Sequence, residues 1–136
     1  MEIETSSIVT LDPDIKAEWI ADLRSGNYSQ TKGYLANSEG HCCLGVLSEQ
    51  AVRKSVAEKF PAGDTMEFRS PGSLSGSRSC LTDGIARWAG MTYSDSVTAY
   101  GLFPFRDRDD CRVYLDTLND EGMSFNQIAD LIDYWY

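Results

Sequence analysis

The stretch His41-Cys42-Cys43-Leu44-Gly45-Val46-Leu47 constrains this chain more than any other. Two adjacent cysteines and a histidine run straight into an apolar helical segment, just behind the polar turn Asn37-Ser38-Glu39-Gly40. Such a helix entry holds a nucleophile, a metal or a buried corner. A thiol nucleophile needs a lowered pKa and a base within reach. His41 is the sole histidine, and the sequence offers no evident neighbouring acid or amide to orient its ring. Leu44, Val46 and Leu47 make the setting apolar, which raises a thiol's pKa, and a buried cysteine packs as a small hydrophobe. Zinc would need about four ligands, and Cys80 and Cys111 complete no C-x-x-C pair with the vicinal cysteines. The expectation is interior packing, with no catalytic residue, no metal and no cofactor.

Local signals outline an α+β fold, a mainly helical single domain over 1–136 with a small antiparallel hairpin or sheet. Asp12-Pro13 opens a first helix as N-cap and first-turn proline, with Ile15, Trp19, Ile20 and Leu23 on one face and Gly26 beyond its end. Tyr28 to Ala36 reads as a short strand, and Leu44 to Phe60 as a second helix ended by Pro61. Residues 61–79 read as a mobile surface loop, with Met66 to Phe68 a brief strand within it, and residues 1–10 as extended or flexible. Thr82 caps a third helix through Trp88. Thr92 to Asp110 is irregular, with Phe103-Pro104-Phe105 as an apolar hook, and Val113 to Leu118 is strand or helix. Ser124 and Gln127 form a capping box for a last helix with Ile128, Leu131, Ile132 and Trp135 as its stripe. Tyr134, Trp135 and Tyr136 rest either on the core or on a partner subunit.

The chain carries 21 acidic against 12 basic side chains, a net charge of −9. That field repels nucleic-acid phosphates and anionic membranes, so direct nucleic-acid binding and membrane association are not expected. No apolar run approaches the roughly 20 residues of a membrane span, and Met1 to Thr10 lacks the pattern of a signal peptide. A cytoplasmic location follows, and reduced thiols with it.

Against the acidic background, Arg24-Ser25-Gly26-Asn27-Tyr28-Ser29-Gln30-Thr31-Lys32 stands out. It offers two cations, an aromatic face, amides and hydroxyls, which together suit an anionic planar ligand. The plain alternative is that Arg24 finishes a helix, Tyr28 packs, and Gln30 and Lys32 face water. Asn119-Asp120-Glu121-Gly122 is a second polar turn, either turn-plus-cap or a ligand contact.

Three blocks resemble a family of small, mostly uncharacterised proteins of tailed bacteriophages and prophages. They are W-I-A-D-L-R-S-G-N-Y-S-Q-T-K-G from Trp19, C-C-L-G-V-L from Cys42, and L-N-D-E-G-M-S-F from Leu118, continuing I-A-D-L-I from Ile128. They cover about half the chain. The family usually has an aromatic residue before the cysteine pair, where this chain has His41. The resemblance implies a phage accessory protein that counters defence in the host cytoplasm by sequestering a nucleotide-derived immune signal, as a homo-oligomer. In that reading Arg24, Tyr28, Gln30 and Lys32 contact phosphate and base, and Asn119 and Asp120 face ribose hydroxyls. Two alternatives stand beside it: an acidic inhibitor that imitates nucleic acid, and an enzyme that degrades the signal.

Overall fold

The computed structural model describes residues 11–90, 102–106 and 112–135. Helix α1 (Pro13–Arg24) starts where the sequence places it: Asp12 Oδ1 accepts from Asp14 N at 2.9 Å and Ile15 N at 3.1 Å. The hairpin β1 (Ala36–Asn37) and β2 (Gly40–His41) turns on Asn37, whose Oδ1 accepts from the backbone of Glu39 and Gly40. Helix α2 (Cys43–Arg53) follows, then the hairpin β3 (Glu58–Ala62) and β4 (Thr65–Arg69). After α3 (Asp83–Trp88) come β5 (Leu102–Arg106), β6 (Arg112–Tyr114), α4 (Leu115–Asp120) and α5 (Phe125–Trp135).

The fold is α+β. One antiparallel sheet has the order β2-β1-β4-β3, and β5 and β6 form a separate antiparallel pair. Helix α1 packs on both α2 and α5, burying Trp19, Ile20 and Leu23 against a core that includes Leu44, Leu47, Phe68, Ile85, Leu115, Ile128 and Ile132. Trp19 is fully buried, and its Nε1 donates to Cys43 O at 3.0 Å, tying α1 to the start of α2. Truncating such a side chain to alanine typically costs about 3–5 kcal/mol. Among the described residues no helix is long and apolar enough to cross a membrane.

Several local expectations change. The second helix stops at Arg53 rather than reaching Phe60, because Ser55 turns to φ +63° and the chain leaves it extended. The segment 61–79 is not simply a surface loop: it holds the end of β3 and all of β4, and Phe68 is wholly buried. The overlooked signal is Gly63-Asp64, a two-residue connection in which Gly63 at φ +64° supplies the left-handed first position such hairpins require. Of Tyr28 to Ala36, only Ala36 lies in a named strand, and Gln30 adds one isolated bridge to His41. The 112–120 segment is both of its alternatives in succession, β6 and then α4. Phe103 to Phe105 lie within β5 rather than an irregular stretch. The readings at 1–10 and at Tyr136 fall outside the described residues.

Both capped helices later in the chain start as their sequences indicate. Thr82 Oγ1 accepts from Ile85 N at 3.2 Å. At α5, Ser124 Oγ accepts from Gln127 N while Gln127 Oε1 accepts from Ser124 N, closing the box.

Candidate functional site

The helix entry at Cys42 is a packed corner. Cys42 caps α2 with its sulfur, which accepts from Gly45 N at 3.4 Å, and Cys43 Sγ donates to Leu115 O at 3.6 Å. Both thiols are buried. Gly45 is required by contact rather than by conformation, since a Cβ there would lie 1.7 Å from Leu35 O. The C-C-L-G-V-L block is therefore the joint where α2 is pressed against the segment carrying Leu35.

His41 has a partner that the sequence did not reveal. Its Nε2 lies 2.8 Å from Glu49 Oε2, and Lys59 Nζ donates to both oxygens of the same carboxylate. Glu49 is two helical turns into α2 and Lys59 is on β3, so only the folded sheet brings them to His41. Burial pushes the Glu49 carboxyl up, but hydrogen bonds from His41 and Lys59 outweigh it and hold the group below the ordinary glutamate value. The imidazole also meets Tyr28 edge-on, with ring centroids 5.0 Å apart.

The six residues expected at a ligand divide into separate groups. Arg24 reaches across to α5 and pairs with Asp130 at 2.6 Å. Tyr28 Oη accepts from Arg53 Nη1 at 2.9 Å, and Arg53 also holds Glu18 and Asp22. Gln30, Asn119 and Asp120 do come together, with exposed Gln30 and Asp120 bonded to buried Asn119. Asn119 is fully buried: its Oδ1 accepts from Gln30 Nε2 at 2.8 Å and Cys43 N at 3.2 Å, while its Nδ2 donates to Thr31 O at 2.8 Å and Asp120 Oδ1 at 3.3 Å. Gln30 Nε2 also donates to Met123 O, and Asp120 Oδ1 accepts from Gly33 N. Both amide groups spend their hydrogens on the protein itself. All three sequence blocks meet in this one clasp.

Lys32 alone of the six stays exposed with no ion pair or hydrogen bond among the described residues. It sits on a bend whose backbone is pinned from three sides: Thr31 N to His41 O, Gly33 N to Asp120, and Leu35 N to Arg78 O. Tyr34, on the same bend, is 44% exposed.

A family model described as a domain of unknown function, DUF8296, matches residues 11–135. The chain belongs to the DUF8296 family. No curated protein and no solved structure matches it. The matched span takes in the clasp, the cysteine corner and the pinned bend, so the DUF8296 unit and this fold coincide over all described residues.

Proposed function

We propose that this DUF8296 protein is a phage accessory protein that counters host defence by binding and sequestering a nucleotide-derived immune signal in the host cytoplasm. The phage setting rests on the resemblance of the three sequence blocks. The observation that supports a binding role is the pinned bend: its backbone is held at Thr31, Gly33 and Leu35, and it carries an exposed cation and an exposed aromatic, Lys32 and Tyr34. A loop ordered before it meets its ligand loses little conformational entropy on binding, which favours tight capture. Gln30, Asn119 and Asp120 then hold the bend from behind instead of touching the ligand, and Arg24 and Tyr28 fix its approach from α1. Assembly as a homo-oligomer belongs to the same reading, with Tyr134, 78% exposed, on the surface.

Native mass spectrometry of protein recovered from infected, defence-activated cells tests the proposal. An oligomer carrying a small nucleotide-derived adduct, released intact on denaturation, is expected. A clean apo monomer counts against sequestration. Capture of a nucleic-acid-binding defence enzyme instead would favour the acidic-inhibitor reading, for which residues 101–136 supply eight acidic against three basic side chains.

A further inference from the structure

Among the described side chains, most cations of this acidic protein are committed. Between residues 11 and 90 there are nine lysines and arginines. Lys16 donates to Asp133 O, and Arg24, Arg53, Lys54, Lys59, Arg69 and Arg87 each lie within 4.0 Å of a carboxylate. Lys32 and Arg78 remain, both exposed and neither in an ion pair among the described residues. Arg78 is near enough to Glu67 to help lower that carboxyl, whose main partner is Arg69, but it makes no direct bridge. With 21 acidic side chains in the chain, two unbridged cations close together are unexpected.

They are close because of the backbone. Leu35 N donates to Arg78 O at 2.7 Å, so the segment bearing Arg78 lies directly beside the one bearing Lys32 and Tyr34. Hydrogen-bonded neighbouring backbones run about 5 Å apart. Both segments are anchored: Ser77 exchanges two backbone hydrogen bonds with Phe68, just before Arg78, each 2.9 Å long. Exposed Arg78 and exposed Tyr34 thus lie on adjoining, anchored backbones, with exposed Lys32 two residues before Tyr34.

Resting on the sequestration reading above, we infer that Arg78 is a ligand-binding residue and that Lys32, Tyr34 and Arg78 form one site for a nucleotide bearing at least two phosphate groups. The base lies on the Tyr34 ring, one phosphate is held by the point charge of Lys32, and a second takes the planar fork of Arg78. Two cations brought in from separate segments match a diphosphate better than a monophosphate, which would leave one of them unused.

Titration calorimetry of the full chain at low salt tests this, using ADP, GDP, CDP and UDP, the matching monophosphates and the free nucleosides. The wild type should prefer diphosphates. Arg78→Gln should weaken diphosphate binding by about tenfold, the loss of one charge-assisted contact, and erase the preference over monophosphates. Arg78→Lys should restore part of it, and Tyr34→Leu should weaken nucleotides and nucleosides alike. If Arg78→Gln binds diphosphates as the wild type does while Lys32→Gln loses them, Arg78 is not part of the site and sequestration through Lys32 stands. If the wild type binds none of these nucleotides, this inference is overturned. An intact nucleotide adduct in the native mass spectrum would then leave sequestration at another surface.

Discussion

The bend from Gln30 to Leu35 has two sides that the protein treats differently. On the inner side, Asn119, Gln30, Thr31 and Gly33 exchange hydrogen bonds until the buried polar atoms are satisfied. On the outer side Lys32 and Tyr34 are exposed, beside an Arg78 that bridges no carboxylate among the described residues. A buried polar network stabilises only when complete, whereas surface groups contribute little to folding. The contrast teaches that the sequence blocks centred on Gln30 and Asn119 specify the fold, and that the recognition proposed above falls to residues just beside them.

The inner side should be the harder to change. Asn119→Leu removes four hydrogen bonds, taking Asn119 away from Cys43 N and from the carbonyl of buried Thr31, while the exposed Gln30 amide keeps Met123 O. Each buried partner lost in this way costs about 1–3 kcal/mol, so a loss of about 3 kcal/mol is expected in urea denaturation. Gln30→Ala should lose less, because Asn119 keeps its other partners. A double-mutant cycle between the two should give a coupling of about 1 kcal/mol or more. Full additivity would show that the clasp does not act as a unit.

A second tier of effects concerns Glu49, whose surroundings lie between the two extremes. Glu49→Gln should cost about 2 kcal/mol at neutral pH, since it weakens hydrogen bonds to Lys59 and His41 in a half-buried setting. The native carboxyl titrates below its ordinary value near 4.5, so the unfolded chain takes up this proton first as the pH drops. The stabilisation from Glu49 is thus complete above the ordinary value and is lost as the pH falls through the lower native one. Denaturation midpoints measured from pH 6 down to pH 3 should fall less steeply for Glu49→Gln than for the wild type. Parallel curves would mean that the His41 and Lys59 contacts are not formed in solution.

What could be read in the sequence was mostly local. Helix α1, the Thr82 cap and the Ser124–Gln127 box follow from residues within four positions of one another, and all appear. The burial of Cys42 and Cys43 followed from their apolar neighbours. The failures were contacts set by tertiary packing. Glu49 lies eight residues from His41 and Lys59 eighteen, and Asn119 meets Gln30 across 89 positions. No periodicity encodes such distances. The polarity of Gln30, Asn119 and Asp120 was legible, but a polar side chain that staples the interior and one that grips a ligand look alike in one dimension. Partners separate them: Gln30 and Asp120 are exposed yet bonded to the protein itself, and such pairing is a property of the fold.

Gln50 offers a smaller test of the same distinction. It is 1% exposed on α2, and its Oε1 has no hydrogen-bond partner among the described residues, the opposite of the satisfied Asn119. Gln50→Met keeps the bulk and removes the orphaned acceptor, so stability should rise by about 1 kcal/mol. A loss instead would reveal a partner for that oxygen and make the two buried amides alike.

The smallest expected effect on stability falls on the outer side. Lys32→Gln, Tyr34→Leu and Arg78→Gln alter exposed groups that bridge no carboxylate, and substitutions of that kind usually stay within about 0.5 kcal/mol. Thermal melts of the three variants should overlay the wild type, and the triple variant should sum their small differences. Removing two positive charges from an acidic chain adds a little repulsion, which 150 mM salt should largely screen. Unfolding of any single variant would mean that the outer side helps to hold the bend, and its exposed cations could no longer be treated as spare. Unchanged melts would leave that side without a role in folding, so that losses of nucleotide binding in the same variants could be assigned to lost contacts.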